Sequence, residues 1–112
     1  EDVWGFESPK TAPNFITQKA LTAPVAKCEQ RERLAGAIVC IHNADPGFDW
    51  LFAYPIAGLI TAWGGANSHM AIRASELGLP SVIGAGEDCY RRWSGAQRLH
   101  LDCAGRRVEV LA

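Results

Sequence analysis

The chain has 112 residues, of which 48% are apolar and 21% are charged, and its formal net charge is -1. A chain of this length is sufficient for one domain and can bury a modest core without stabilisation by disulfides or metal ions. A charge so close to zero gives no general attraction to nucleic acid or to anionic membrane, so neither is expected as a partner. The longest apolar stretches, such as 56–60, are too short to span a bilayer.

Residues 1–13 contain two prolines and no hydrophobic periodicity, which predicts a linker or an N-terminal arm. The chain begins with Glu1, without an initiator Met or a secretory leader, and we expect it to be an excised part of a longer protein. Residues 14–112 are predicted to form one domain. Its first segment, 15–27, has β-branched and alternating residues and predicts a strand with an edge or bulge near Pro24.

The middle of the chain alternates short apolar runs with helical segments. Residues 37–43 and 56–63 are predicted buried strands, separated by one or two helical turns within 48–55. SVIG at 81–84 is a third buried strand, and 97–112 has two alternating runs that predict a β-hairpin. This order predicts an α/β fold with a mostly parallel central sheet, flanking helices and a C-terminal β-hairpin.

Four cysteines stand singly along the chain and never form a C-x-x-C pair: Cys28, Cys40, Cys89 and Cys103. Even parity allows two disulfides, yet a chain that builds its own core does not need them, so buried free thiols in a reducing cytoplasm are expected. A zinc-stabilised binding domain that uses Cys40, His42 and either Cys89 or Cys103 is an open alternative. We expect no metal, because structural zinc sites normally have closely spaced ligands in pairs.

The strongest helix signal follows the second buried strand. Asn67 and Ser68 are both good N-cap residues, Gly78 suits a left-handed C-cap, and Pro80 follows it. A stripe of small residues would let this helix lie close on a sheet: Ala71, Ala74, Ser75 and Gly78. Ile72 is expected to add apolar anchoring, together with Leu79.

These helix limits place His69 in the first helical turn, directly after the Gly64-Gly65 bend. Backbone N–H groups and the positive end of the helix dipole converge there, an arrangement that suits a phosphate. Neutral imidazole is a nucleophile, so covalent phosphoryl transfer through this residue is chemically reasonable. The hydroxyls of Ser68 and Thr61 are candidates to orient the ring or to bind phosphate oxygens.

Spacing alone leaves a second interpretation open, in which His69 is a cap partner or a half-buried polar residue. The full G-x-G-x-x-G and G-x-x-x-x-G-K-[ST] patterns are missing, so neither a dinucleotide fold nor a P-loop is indicated. His42 and His100 lie in predicted strands and are expected to be structural. Trp63, beside the glycines, is either a core residue or part of a docking surface.

The stretch GLITAWGGANSHMAIRASELGLPSVIG resembles the phosphohistidine motif of the mobile, or swivelling, domain of PEP-utilising enzymes, a family that includes PEP synthase and pyruvate phosphate dikinase. The motif's positions here are Thr61, Gly64, Gly65, Ser68, His69, Ala71, Ile72, Ala74, Gly78, Leu79, Pro80, Val82 and Gly84. Upstream, Asp45-Pro46 followed by Asp49-Trp50 resembles the acidic-proline turn ahead of that motif. The similarity extends over 34–111.

The resemblance implies a swivelling β/β/α domain in which His69 is transiently phosphorylated and Thr61, Gly64, Gly65 and Ser68 support the phosphate. It also implies a phosphotransferase component that is inactive as an isolated domain. The partners would be an ATP-grasp domain and a pyruvate/PEP or other acceptor site, in cis or on a separate subunit. The domain itself would bind no cofactor, and ATP and Mg²⁺ would be held by the partner domains.

One position departs from the family pattern. The family has an arginine six residues after the histidine, where this chain has Ser75, and Arg73 is the candidate to supply that charge from a different helix face. The departure keeps an alternative open, in which the domain is an unphosphorylated docking or regulatory module.

Overall fold

The computed structural model describes residues 2–4, 14–65 and 68–111. Its strands are β1 (Asp2–Trp4), β2 (Asn14–Ile16), β3 (Ala20–Lys27), β4 (Ile38–Asn43), β5 (Gly58–Trp63), β6 (Ser81–Ile83), β7 (Arg98–Asp102) and β8 (Arg107–Val110). The α-helices are α1 (His69–Leu77) and α2 (Glu87–Ser94), and two 3-10 segments span Arg31–Arg33 and Pro46–Ala53. No helix in these ranges is long and apolar enough to cross a membrane.

The strands form one mixed sheet in the order β1-β8-β7-β3-β4-β5-β6-β2. The central strands β3, β4, β5 and β6 pair in parallel. The parallel pairing of β4, β5 and β6 is what the predicted βαβ order requires. The prediction of a mostly parallel sheet is wrong for the sheet as a whole, because the pairs on both sides of this centre are antiparallel. The physical reason is that the C-terminal hairpin and the short N-terminal strands add to the outer strands without a crossover.

Both faces of the sheet are buried. Along β4, Ile38 and Cys40 belong to one apolar cluster, whereas Val39 and Ile41 belong to another, as expected when side chains alternate across a strand. Helix α2 covers the first cluster with Cys89, Tyr90 and Trp93. Helix α1 covers the second with Met70 and Ala71, together with the 3-10 segment Pro46–Ala53. The two helices therefore lie on opposite faces.

The N-terminal part of the domain differs in detail from its prediction. The single strand expected over 15–27 is two strands, since Thr17 has a φ of 72° and turns the chain between β2 and β3. Pro24 pairs opposite Arg98 and lies just before β3 begins to pair with β4 at Val25. At Pro24, β3 does not yet pair with β4, so the N–H that proline lacks is not needed for that pairing. Of the predicted arm, Asp2–Trp4 pairs with β8, and 1 and 5–13 lie outside the described residues.

Helix α2 is an element that the sequence analysis missed. Its eight residues include four charged ones, so the stretch looks like a surface loop. Its signals are Cys89, Tyr90 and Trp93 on one face, acidic residues in the first turn and arginines in the last turn, which suit the helix dipole.

The four cysteines are free thiols, as predicted. Cys40, Cys89 and Cys103 are buried, and burial raises the pKa of the Cys40 thiol to about 12. Cys28 is half-buried, and partial burial together with the neighbouring Glu29 raises its pKa.

This difference in burial predicts how the native thiols react with a disulfide reagent. Only a thiolate that the reagent can reach reacts quickly, so we expect one fast thiol per chain at pH 8, from Cys28. The Cys28→Ser variant should lose that phase, and unfolding in urea should expose the remaining thiols. Two or more thiols reacting at the fast rate in the folded protein would contradict this core.

A close backbone crossing connects β5 and β6 at the point where the chain turns into α1. Gly64 has a φ of 129°, and a Cβ added to it would lie 2.6 Å from the Ala44 Cβ. Gly84, with a φ of 78°, has its Cα so near Gly64 that an added Cβ would collide with the Gly64 carbonyl oxygen. An added Cβ at Gly65, in contrast, would meet no atom within 4 Å. The fold therefore requires glycine at two of these three positions.

Alanine substitutions should separate the two neighbouring glycines. Gly64→Ala should lower the free energy of unfolding by about 2–4 kcal/mol, because both the left-handed backbone and the Ala44 contact oppose a side chain. Gly65→Ala should change it by no more than about 0.5 kcal/mol. Chemical denaturation of both variants measures this difference, and equal losses of stability would contradict the crossing described here.

Candidate functional site

Helix α1 begins and ends where its capping residues predict. Ser68 has extended backbone angles, and its Oγ accepts the N–H of Ala71 at 3.3 Å. Gly78 has a φ of 67°, and its N–H and that of Leu79 return to the last carbonyls of the helix. Asn67, the other predicted cap, lies outside the described residues. The first helical N–H groups, among them that of His69, have no partner within the helix and point toward its N-terminal end.

His69 is exposed at this helix start and contacts an aspartate from the 3-10 segment. Its Nε2 lies 2.8 Å from Asp49 Oδ1, and 40% of the imidazole surface is exposed. An ionised carboxylate only accepts hydrogen bonds, so the contact places the ring hydrogen on Nε2. Asp49 belongs to the acidic-proline turn that precedes the motif, and it is a site residue that the sequence did not predict.

Arg73 completes the cluster. It follows His69 by four residues, which places the two side chains on neighbouring turns of one helix face. Its Nε donates to the same Asp49 Oδ1 at 3.2 Å, and its Nη1 lies 3.7 Å from Glu76 Oε1. A positive charge therefore contacts the carboxylate that binds His69, and the role of Arg73 in supplying the charge of the family arginine stays a prediction.

Asp49 is ionised in this cluster. The hydrogen bond from His69, and secondarily the bond and charge of Arg73, lower the pKa of Asp49, against a partial desolvation that raises it. A lowered pKa means that the contact stabilises the fold above the ordinary aspartate pKa. That stabilisation is lost as the pH falls through the lowered value.

Topology explains why Asp49 and His69 meet although they are separated by 20 residues. Asp49 lies in the segment that follows β4, and His69 lies in the segment that follows β5. Because β4 and β5 are parallel neighbours, both segments leave the sheet at the same edge and pack together on one face.

The structure does not bring Thr61 to the imidazole. Its side chain is fully buried, and its hydroxyl donates to the Trp63 carbonyl at 3.0 Å and accepts the Gly84 N–H at 3.0 Å. Thr61 therefore stabilises the crossing behind the site rather than lining it. Gly64 also belongs to that crossing, whereas Gly65 is exposed and its carbonyl accepts the Ser68 N–H at 3.0 Å.

The outer face of α1 differs from the predicted packing. Ala71 and Ala74 are buried as expected, but Ser75 is exposed and Ile72 is 48% exposed. The apolar anchoring expected of Ile72 is thus wrong, and Met70 supplies it instead. Trp63 is 50% exposed next to the glycines, which excludes the core interpretation for this residue.

The other two histidines have partners of their own. His42 lies 3.3 Å from Glu87 Oε2 and packs against Tyr90 in a tilted arrangement with the ring centroids 4.4 Å apart, and His100 is bonded to the Thr22 hydroxyl. In the part of the chain that the structure describes, no three His, Cys, Asp or Glu side chains gather as metal ligands. The zinc alternative built on Cys40 and His42 therefore has no geometric support there.

Comparison with known proteins gives results that agree with this geometry. The family described as PEP-utilising enzyme, mobile domain, matches residues 34–105. Rifampicin phosphotransferase from Streptomyces sviceus is 37% identical over 78 residues, which cover 70% of this chain and 9% of the relative. The protein of that name from Bacillus cereus is 37% identical over 76 residues, covering 68% of this chain and 8% of the relative.

A solved structure supports the fold alone. The solution NMR structure of a UPF0107 protein superposes with a TM-score of 0.63 over 90% of this chain and 98% of its own, at 14% sequence identity. The chain spans less than a tenth of the length of the phosphotransferases it matches. The family match covers β4, β5, the Gly64-Gly65 turn and helix α1. The chain therefore belongs to the family of PEP-utilising enzyme mobile domains.

Proposed function

We propose that this chain is the phosphoryl carrier domain of a longer phosphotransferase, with His69 as the residue that is transiently phosphorylated. The carrier would take its phosphoryl group at an ATP-grasp donor domain and deliver it to an acceptor site. PEP synthase and pyruvate phosphate dikinase use pyruvate/PEP as that acceptor. The relatives named rifampicin phosphotransferase make rifampicin or a similar compound the second possible acceptor.

The single observation that carries this proposal is the setting of His69. The imidazole stands at the N-terminal end of α1, where N–H groups without a partner inside the helix favour a phosphate, and Arg73 contacts Asp49 in the same cluster. Gly65 lies at the turn into α1, where its carbonyl accepts the Ser68 N–H at 3.0 Å, and a Cβ added to it would meet no atom within 4 Å. A small residue at that position is explained by the close approach of a phosphoryl donor.

The chemistry requires only a nucleophile and electrostatic support from this chain. A ring nitrogen of His69 attacks phosphorus as the P–O bond to the donor's leaving group breaks, and the leaving oxygen takes the bonding electrons. At the second site an acceptor oxygen attacks the same phosphorus, and the N–P electrons return to the ring. Arg73 and the Ser68 hydroxyl are the groups proposed to bind the phosphoryl oxygens, since the Ser68 cap bond leaves its O–H hydrogen free to donate.

ATP and Mg²⁺ belong, in this proposal, to the donor domain, and no cofactor is assigned to the mobile domain itself. The length of the relatives supports the presence of such further domains, because the region matched here is only 9% or 8% of them. Free cysteines fit a reducing compartment, so we propose a cytoplasmic location.

The alternative is a docking or regulatory module that is never phosphorylated. Its support is Ser75, which is exposed where the family has arginine. The Arg73 contact weakens this alternative, because a cation is present beside His69 from another position of the same helix.

Labelling the full-length protein tests the proposal. It is incubated in turn with ATP labelled at the β or γ phosphate and with labelled PEP, and an acid-labile, base-stable label is measured. We expect stoichiometric label from one donor and its complete loss in the His69→Ala variant, because the N–P bond needs this imidazole.

His42→Ala is the matched control, since His42 is also exposed and also bonded to a carboxylate, yet it lies on the α2 face. This variant should label like the wild type. Unchanged labelling of His69→Ala, or no label from any donor in a folded protein with a functional ATP-grasp domain, would support the docking module instead.

A further inference from the structure

Asp49 binds the nitrogen of His69 that is farthest from the main chain. Its Oδ1 receives both the Nε2 hydrogen of His69 at 2.8 Å and the Nε hydrogen of Arg73 at 3.2 Å. Asp49 is also accessible, with 46% of its side-chain surface exposed. We propose that Asp49 competes with the phosphoryl group for His69 Nε2 and for Arg73, and thereby shifts the loading equilibrium toward the unloaded carrier. This inference rests on the proposed function.

The competition for Nε2 follows from the position of the ring hydrogen. While Nε2–H donates to Asp49, that nitrogen has no free electron pair and cannot attack phosphorus. Loading at Nε2 therefore requires Asp49 to withdraw and the hydrogen to move, through solvent, to Nδ1. After Nε2 has bonded to phosphorus and the leaving group has departed with its electrons, the ring releases the Nδ1 hydrogen to solvent. The hydrogen bond to Asp49 is lost in the loaded state and restored after transfer.

Electrostatic repulsion between Asp49 and the phosphoryl group also shifts the loading equilibrium toward the unloaded carrier. A phosphoryl group on the ring carries nearly two negative charges, and the ionised Asp49 carboxylate would lie within a few ångströms of them. Arg73 contacts Asp49 through Nε and Glu76 through Nη1, so it can turn from the carboxylate to the phosphoryl oxygens without leaving the cluster. Asp49 thus stabilises the unloaded form and opposes the loaded form. A carrier of this kind releases its phosphoryl group more readily to an acceptor.

The equilibrium ratio of loaded to unloaded His69 tests this inference in the full-length protein. The ratio is measured at fixed proportions of PEP to pyruvate, or of ATP to AMP and phosphate if ATP is the donor. Asp49→Asn should raise it about fivefold, because a charge that repels the phosphoryl group is removed at a partly solvated site. Asp49→Ala, which adds no amide donor, should raise it in the same direction.

Glu76→Gln is the matched control. It removes a carboxylate that contacts Arg73 but not His69, from a side chain that is 62% exposed, so the ratio should stay within about twofold of the wild type. Thermal unfolding of each variant confirms that the half-exposed substitutions leave the fold intact. A second readout needs no loading: the ¹⁵N spectrum of His69 should show the Nε2–H tautomer in the unloaded wild type and less of it in Asp49→Asn.

The outcomes separate this inference from the proposed function. Label on His69 with an unchanged or lowered loaded ratio in Asp49→Asn would overturn the role of Asp49 and leave the carrier function intact. Attachment of the phosphoryl group to Nδ1, or an unchanged tautomer in the variant, would also overturn it. Absence of any His69-dependent label in the wild type would remove both proposals together.

Discussion

The crossing of the backbone at Gly64 and Gly84 is the constraint on which the rest of the site depends. A Cβ at Gly84 would collide with the Gly64 carbonyl oxygen and prevent the contact between the ends of β5 and β6, and a Cβ at Gly64 would lie 2.6 Å from the Ala44 Cβ, just after β4. Thr61 connects the same strand ends through its buried hydroxyl, which bonds to the Trp63 carbonyl and the Gly84 N–H. Since α1 begins four residues after Gly65, this rigid crossing fixes the place where the helix leaves the sheet. The position of His69 is therefore set by close backbone contacts, while its side chain stays accessible.

The parallel pairing of β4 and β5 then brings together the groups that surround His69. The segments after β4 and β5 leave the same sheet edge, which brings the carboxylate of Asp49 to the imidazole of His69. Arg73 joins them from the next turn of α1. An imidazole, a carboxylate that binds its Nε2 and a guanidinium that binds the same carboxylate thus lie within one exposed cluster. Under the proposed function, the carboxylate and the phosphoryl group compete for the imidazole and the guanidinium, which suits a carrier that is loaded at one site and unloaded at another.

Local signals in the sequence predict much of this fold. Helix α1, with its Ser68 and Gly78 caps, follows from residue types whose conformational preferences are strong, and the hairpin of β7 and β8 follows from alternation. Helix α2 was missed because its apolar face is narrow and its surface is rich in charge. The mostly parallel sheet was wrong because strand order at the sheet edges depends on contacts between distant segments. The Asp49 contact was missed for the same reason, since it depends on β4 and β5 being neighbours. The placement of Thr61 was not predicted, because burial, which a single sequence does not display, turns its hydroxyl toward backbone groups.

The measurement that tests the account most directly is the location of the phosphoryl group among the three histidines. The loaded full-length protein is digested under alkaline conditions, in which the N–P bond survives, and its peptides are sequenced by tandem mass spectrometry. The account predicts the mass of one phosphoryl group on the peptide that contains His69, and unmodified His42 and His100. A phosphoryl group on either of those residues, or on a serine near the helix start such as Ser68, would contradict the assignment of His69 as the carrier.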